Sequence, residues 1–212
     1  TSVRVPTKLG INGAAPQTPL DVIANASGYA MAVRGRSSDD LAQVRFTSND
    51  YGTVFAELES DATYLATRIS GSEKLRVDSS GRLLVGTSSS RASAGIQTRL
   101  QIEGTDEPTS SLSLIRNTAS TNAPRLIFGK TRGTSIGANV VVQDNDVLGN
   151  IAFVGNDGTD LGSFAANIAA FVDGTPGSND MPGRLVFSTT ADGADSPTTR
   201  LTIDSTGKAT FT

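Results

Sequence analysis

Residues 75–86 read LRVDSSGRLLVG, and residues 201–212 read LTIDSTGKATFT. Each run is an apolar-alternating segment, a D-S-[ST]-G turn, a basic residue and a second alternating segment. Leu75 with Val77, Leu83 with Val85, Leu201 with Ile203 and Ala209 with Phe211 are each two residues apart. That is the spacing of one face of a β-strand. An Asp-Ser-[Ser/Thr]-Gly sequence between two such runs predicts a hairpin. Asp78 and Asp204 can accept hydrogen bonds from the turn backbone, and Gly81 and Gly207 can take the left-handed conformation that closes it. Leu75 and Leu201 lie 126 residues apart. A phrase repeated at the ends of two segments is a structural connector rather than a catalytic motif.

A weaker copy, Lys8-Leu9-Gly10-Ile11, stands near the start. After it, and after Arg82-Leu83-Leu84-Val85, come a polar linker and a strand of the form Leu-x-[Val/Ile]: Leu20-Asp21-Val22 and Leu100-Gln101-Ile102. The chain therefore divides into residues 1–19, the end of a preceding repeat plus linker; 20–86, a first β module; 87–99, a linker; and 100–212, a second β module. A smaller phrase recurs as RLIF (125–128), NIAF (150–153) and RLVF (184–187), with Val44-Arg45-Phe46 as a relative. Each predicts a strand, and turn signals such as Asn156-Asp157-Gly158, Asp173-Gly174 and Pro182-Gly183 separate them. The Ala-rich run 161–174 is the best helix candidate, and its Phe164, Ile168 and Phe171 are only partly in phase for a strand, but a strand is favoured because everything around it is strand and turn.

Composition narrows the function. The 212 residues are 37% hydrophobic without counting glycine, with 22 Gly and no Trp. The profile fits many short strands joined by polar turns. There is no Cys and no His, which removes thiolate chemistry, disulfides, the commonest general base and the commonest metal ligand. Net charge is −3 and no basic run occurs, which argues against a nucleic-acid partner. The most apolar stretch, Phe164 to Val172, is too short to cross a bilayer, and no signal peptide is visible. The chain starts at Thr1, which reads as a processed product or a piece of something longer.

Several residue groups could carry chemistry, and each also has an ordinary structural role. Asp144-Asn145-Asp146 and Asn156–Asp160 carry oxygen ligands of the kind calcium takes, but lack the EF-hand pattern and read as turns. Glu57, Glu59 and Asp61 would share a strand face, and Asp192 stands near Asp195. Either set could supply the paired carboxylates of a glycosidase, yet a solvated charged face explains them better. Tyr29, Tyr51, Tyr64 and Phe55 are the aromatics a glycan-binding loop could use, with Tyr51 beside Asp50 and Gly52 at a loop tip. Arg82, Arg125, Arg184 and Lys208 precede strands and read as ion-pair partners. No phosphate-binding glycine loop opens a helix. No catalytic, metal or cofactor residue is assigned, no cofactor is expected, and receptor-binding residues stay unassigned.

The run SEKLRVDSSGRLLVGTSSS (72–90) resembles the repeated segments of bacteriophage tail fibres. Residues 125–207, from RLIFGKTRG to LTIDSTG, are similar to a module common in phage and prophage tail-fibre proteins. Residues 27–52, SGYAMAVRGRSSDDLAQVRFTSNDYG, are similar to a companion module. The resemblance implies an all-β, elongated, intertwined homotrimer of two β-rich modules with short hairpins and polar turns. It implies a non-catalytic structural part of a virion appendage that supports host attachment. The partners would be two further copies of the chain, adjacent tail or fibre proteins and a host-surface glycan, with no membrane insertion, and assembly would occur in the host cytoplasm. Such fibres often carry a C-terminal intramolecular chaperone that is cleaved off, and Thr212 falls at a module boundary where one could begin. The competing readings are a polysaccharide-degrading tailspike and a monomeric carbohydrate-binding β-sandwich.

Overall fold

The computed structural model describes residues 32–212. The Lys8–Ile11 copy, the Leu20–Val22 strand, the 1–19 segment and Tyr29 lie outside the described residues. Within them the chain is all-β, with eleven strands in two sheets and no helix.

The first sheet has the order β1-β2-β3-β4-β5-β6. Its strands are β1 (Ala42–Thr47), β2 (Val54–Ser60), β3 (Tyr64–Ile69), β4 (Ser72–Asp78), β5 (Leu83–Val85) and β6 (Leu100–Ile102). The first five run antiparallel as consecutive hairpins. β6, the Leu-x-Ile strand after the linker, pairs in parallel with β5, so it lies in the first sheet. The second sheet, ordered β11-β10-β9-β8-β7, is fully antiparallel. It comprises β7 (Val147–Gly155), β8 (Ser163–Val172), β9 (Gly183–Thr189), β10 (Thr198–Ile203) and β11 (Ala209–Phe211).

Both repeated hairpins form as the turn chemistry predicts. Gly81 and Gly207 have φ of 72° and 85°, the left-handed region that a side chain would strain. The register sets Leu75 against Val85 and Leu201 against Phe211. NIAF lies in β7, RLVF in β9 and Val44-Arg45-Phe46 in β1. The 161–174 run forms β8, with Ile168 and Phe171 on opposite faces, which is why its apolar residues looked out of phase.

RLIF is the exception. Residues 103–146 form no strand, so the expected strand at 125–128 is corrected to an irregular segment. The alternation is present, but a strand needs a neighbour to satisfy its backbone, and among the described residues no ladder reaches it. Leu112, Leu114, Leu126 and Phe128 are exposed along it. Phe128 leans on Gly149 of β7, where a Cβ would stand only 2.6 Å from the Phe128 Cβ. Gly149→Ala is therefore expected to dislodge Phe128 from this contact.

No single core unites the described residues. The buried apolar residues are Ala66, Leu84, Val142, Ala169 and Val172. Among the described residues no strand of one sheet contacts a strand of the other. The two sheets thus do not close on each other as a β-sandwich, in which facing sheets share their core.

Candidate functional site

Strand alternation and register sort the first sheet into two unlike faces. Gln43, Arg45, Glu57, Glu59, Ala66, Arg68, Arg76, Leu84 and Gln101 fall on one face through their cross-strand pairs. Val44, Phe46, Leu58, Leu65, Ile69, Leu75, Val77, Leu83, Leu100 and Ile102 fall on the other.

The charged face is covered by its own side chains. Glu59 is 4% exposed and accepts from Tyr64 Oη at 2.6 Å, Gln43 Nε2 at 2.7 Å and Arg68 Nε at 3.2 Å. Arg45 Nε meets Glu57 Oε1 at 2.6 Å, and Arg76 grips Glu73 through two bonds at 2.7 and 2.6 Å. The Arg76 guanidinium also stacks 3.6 Å from the Tyr64 ring centre. Burial pushes the Glu59 carboxyl up, but the hydrogen bonds from Tyr64, Gln43 and Arg68 outweigh it and leave the group below the usual carboxylate range. A general acid for glycoside cleavage needs the opposite shift. Asp61 is held low by the Thr63 hydroxyl and the Thr63 backbone N–H, in a turn rather than a cleft.

The apolar face of the same sheet is bare. Phe46 is 55% exposed, Leu65 50% and Leu100 50%, with Val44, Leu58, Ile69 and Val77 also exposed. The second sheet repeats the asymmetry. Ile151, Ile168, Phe187, Leu201 and Phe211 align across five strands on one face, flanked by Phe153, Leu185 and Ile203. The opposite face is mixed: it carries Asn150, Asn167, Ser188, Thr202 and Thr210 together with Ala152, Ala169, Phe171 and Val186. Of the apolar set, Ile151, Phe153, Leu185, Ile203 and Phe211 are exposed. Exposed apolar residues are normal one at a time, but contiguous patches of this extent mark an interaction surface.

The hairpins are clasped at their turns. Asp78 accepts from Ser80 N at 2.9 Å, Arg82 N at 3.0 Å and Arg82 Nε at 2.7 Å. Asp204 accepts from Thr206 N at 2.9 Å and Lys208 N at 3.0 Å. The first turn is tied down by Arg99, which donates to Ser80 O, and the second by Asp173, which accepts from Ser205 N at 2.8 Å while bonded to Arg184 at 3.1 Å. The Arg82 backbone N–H holds Asp78 below its ordinary range, the Thr206 hydroxyl does the same for Asp204, and the Ser205 backbone for Asp173. Each folded-state pKa lies below the unfolded value. The stability these groups contribute is thus complete above the unfolded carboxylate range and lost as the pH falls through it. Urea midpoints measured from pH 7 to 2 should be level down to about pH 5 and fall steadily below about pH 4.

The remaining candidates are spread over separate loops. Asp146 is held well below the usual range by Arg132, at 2.7 and 2.8 Å, and by the Gln143 N–H. Asp144 accepts from Gly174 N at 2.8 Å, and Asp157 and Asp160 cap their own turns. Asp192 and Asp195 are exposed between β9 and β10. Tyr51 stands 84% exposed at the β1–β2 loop tip with φ of 60°, and Phe55 is exposed on β2, whereas Tyr64 is occupied by the charged face. Arg82 and Arg184 form the expected ion pairs, while Arg125 and Lys208 are exposed. Sequence reasoning missed Arg45, Arg68, Glu73 and Arg76. Their signal was alternation with the apolar residues of β1, β3 and β4.

No family model matches the chain, and no curated protein sequence matches it. Solved structures do, two of them as follows. One is the carboxy-terminal domain of the bacteriophage T5 L-shaped tail fibre, at a TM-score of 0.69 and 16% identity over 92% of this chain and 90% of that one. The other is the same domain with its intramolecular chaperone domain, at a TM-score of 0.63 and 16% identity. There the match takes in 96% of this chain and 62% of that chain. The chain thus has the all-β fold of a phage tail-fibre domain.

Proposed function

We propose that the chain is a non-catalytic section of a phage tail fibre, assembled as a homotrimer whose three copies bury their apolar faces against one another. One observation carries this reading: the first sheet satisfies its charged face internally, and both sheets leave large apolar side chains open on the other face. A monomer gains nothing from that arrangement. Three copies about a common axis convert six bare faces into a continuous core with a hydrophilic outside. The irregular 103–146 segment fits the same assembly, because its alternating Leu112-x-Leu114 and Leu126-x-Phe128 need ladder partners that neighbouring copies can supply. The tail-fibre fold of its structural neighbours supports a place on a virion.

The residue blocks 20–86 and 100–212 are two repeat units in series, with β6 reaching back to seal the unit before it. Host attachment is the wider task, with adjacent tail proteins as neighbours, a host-surface glycan as receptor and assembly in the host cytoplasm. The exposed loop carrying Tyr51 is the part of the described surface with an aromatic offered to such a receptor. Antibody raised against the purified chain should label the virion's tail appendages in electron micrographs and slow adsorption to susceptible cells. Labelling without slower adsorption would confine the chain to a shaft, and no labelling would sink the virion assignment. Release of reducing sugar from host polysaccharide by the purified chain would replace this reading with the tailspike one.

A further inference from the structure

The two hairpins match bond for bond. In the first, Asp78 N donates to Arg82 O at 3.1 Å, Gly81 N to Asp78 O at 2.8 Å and Gly86 N to Lys74 O at 3.2 Å. In the second, Asp204 N donates to Lys208 O at 3.0 Å, Gly207 N to Asp204 O at 2.9 Å and Thr212 N to Arg200 O at 3.1 Å. Their backbone bonding parts company on the outer side of the last strand. There β5 carries β6: Leu83 N donates to Arg99 O at 2.7 Å, and Val85 O accepts from Glu103 N at 3.0 Å. The corresponding groups on β11 are the Ala209 N–H and the Phe211 carbonyl. β11 is the last strand of its sheet, and among the described residues nothing lies beyond it. The burial follows suit. Leu84 is fully buried, whereas its counterpart Thr210 is exposed and Phe211 is 80% exposed.

An open strand edge is a template for another strand. We infer that β11 is an acceptor edge for the opening strand of another module of this repeat, entering parallel to it as β6 enters beside β5. The first hairpin defines what fits. The occupant is an extended Arg-Leu-x-Ile-Glu segment. Its Leu and Ile extend the apolar row of Ala209 and Phe211, and its Arg reaches a carbonyl of the turn, as Arg99 reaches Ser80. One position differs. Gly86, whose missing Cβ leaves room for the Glu103 carbonyl, is replaced by Thr212. The occupant therefore pairs along Ala209–Phe211 and leaves the edge there. This edge is separate from the apolar faces of the proposed trimer, so its test can fail while that assembly stands.

The test supplies the strand in the connection the chain already uses. Residues 86–103 (GTSSSRASAGIQTRLQIE) are placed after Phe211 in place of Thr212, and amide hydrogen exchange is read by mass spectrometry over 204–211. Exchange at Ala209 should slow at least tenfold against Thr212→Gly alone. The slowing should vanish when the appended Leu-Gln-Ile reads Asp-Gln-Asp. With Ala209→Pro, which deletes an N–H pointing away from β10, protection at Phe211 should vanish as well. Equal exchange with and without the extension would overturn the inference, as would equal slowing by the charge-bearing extension. So would an Ala209 amide already protected in the unextended chain, because another copy would then hold the edge.

Discussion

Leu58→Asp combined with Leu65→Asp should turn the assembled chain into monomers. In one chain both side chains are open, at 43% and 50% exposure, so a carboxylate there costs the isolated sheet little. In the proposed trimer both are core. Burying a leucine contributes about 1.5–3 kcal/mol, and each loss is repeated in every copy. The pair thus removes on the order of 10 kcal/mol from the trimer before the cost of desolvating six charges is added. Ser79→Asp, in the exposed hairpin turn, should leave the mass unchanged. If the double variant is insoluble, Leu58→Ala with Leu65→Ala should still lower the concentration-dependent stability. A double Asp variant that keeps the parental mass would show that this face is not an interface.

Glu59→Ala should be the most damaging single change on the opposite face, at about 3 kcal/mol, the low end for breaking a buried pair because Arg68 keeps some solvent contact. The deletion strands the Tyr64 hydroxyl, the Gln43 amide and the Arg68 guanidinium together on a closed surface. Glu59→Gln keeps an acceptor for Tyr64 and should lose less. Glu107→Ala, an exposed acid outside both sheets, should be near neutral. Urea unfolding midpoints order the three variants. A neutral Glu59→Ala would mean the charged face is decoration rather than a wall that holds β1 to β3 in register.

What could be read from the amino acids was local. Asp78-Ser79-Ser80-Gly81 dictates its hairpin because one carboxylate and one left-handed glycine close the turn without outside help, and the second copy does the same. β8 was readable from its surroundings. The parallel β5–β6 pair was not, since no residue in Leu100-Gln101-Ile102 announces which earlier strand it will join. Nor was the fate of RLIF, whose alternation promises a strand but which finds no ladder partner among the described residues. Glu57 and Glu59 read as a solvated charged face; they do stand on a charged face, but buried among their partners rather than solvated. Their arginine partners come from β1 and β3 and sit between apolar residues whose alternation drew the reading instead. Local rules place side chains on faces; they do not say what covers a face.

That last question is settled by mass. Light scattering on the purified chain at micromolar concentration, with boiled and unboiled samples side by side on a denaturing gel, measures it directly. The account predicts three times 21.9 kDa in solution and a band that collapses to the single chain only on heating. A particle of 21.9 kDa, with its apolar faces bare and still soluble, would contradict it.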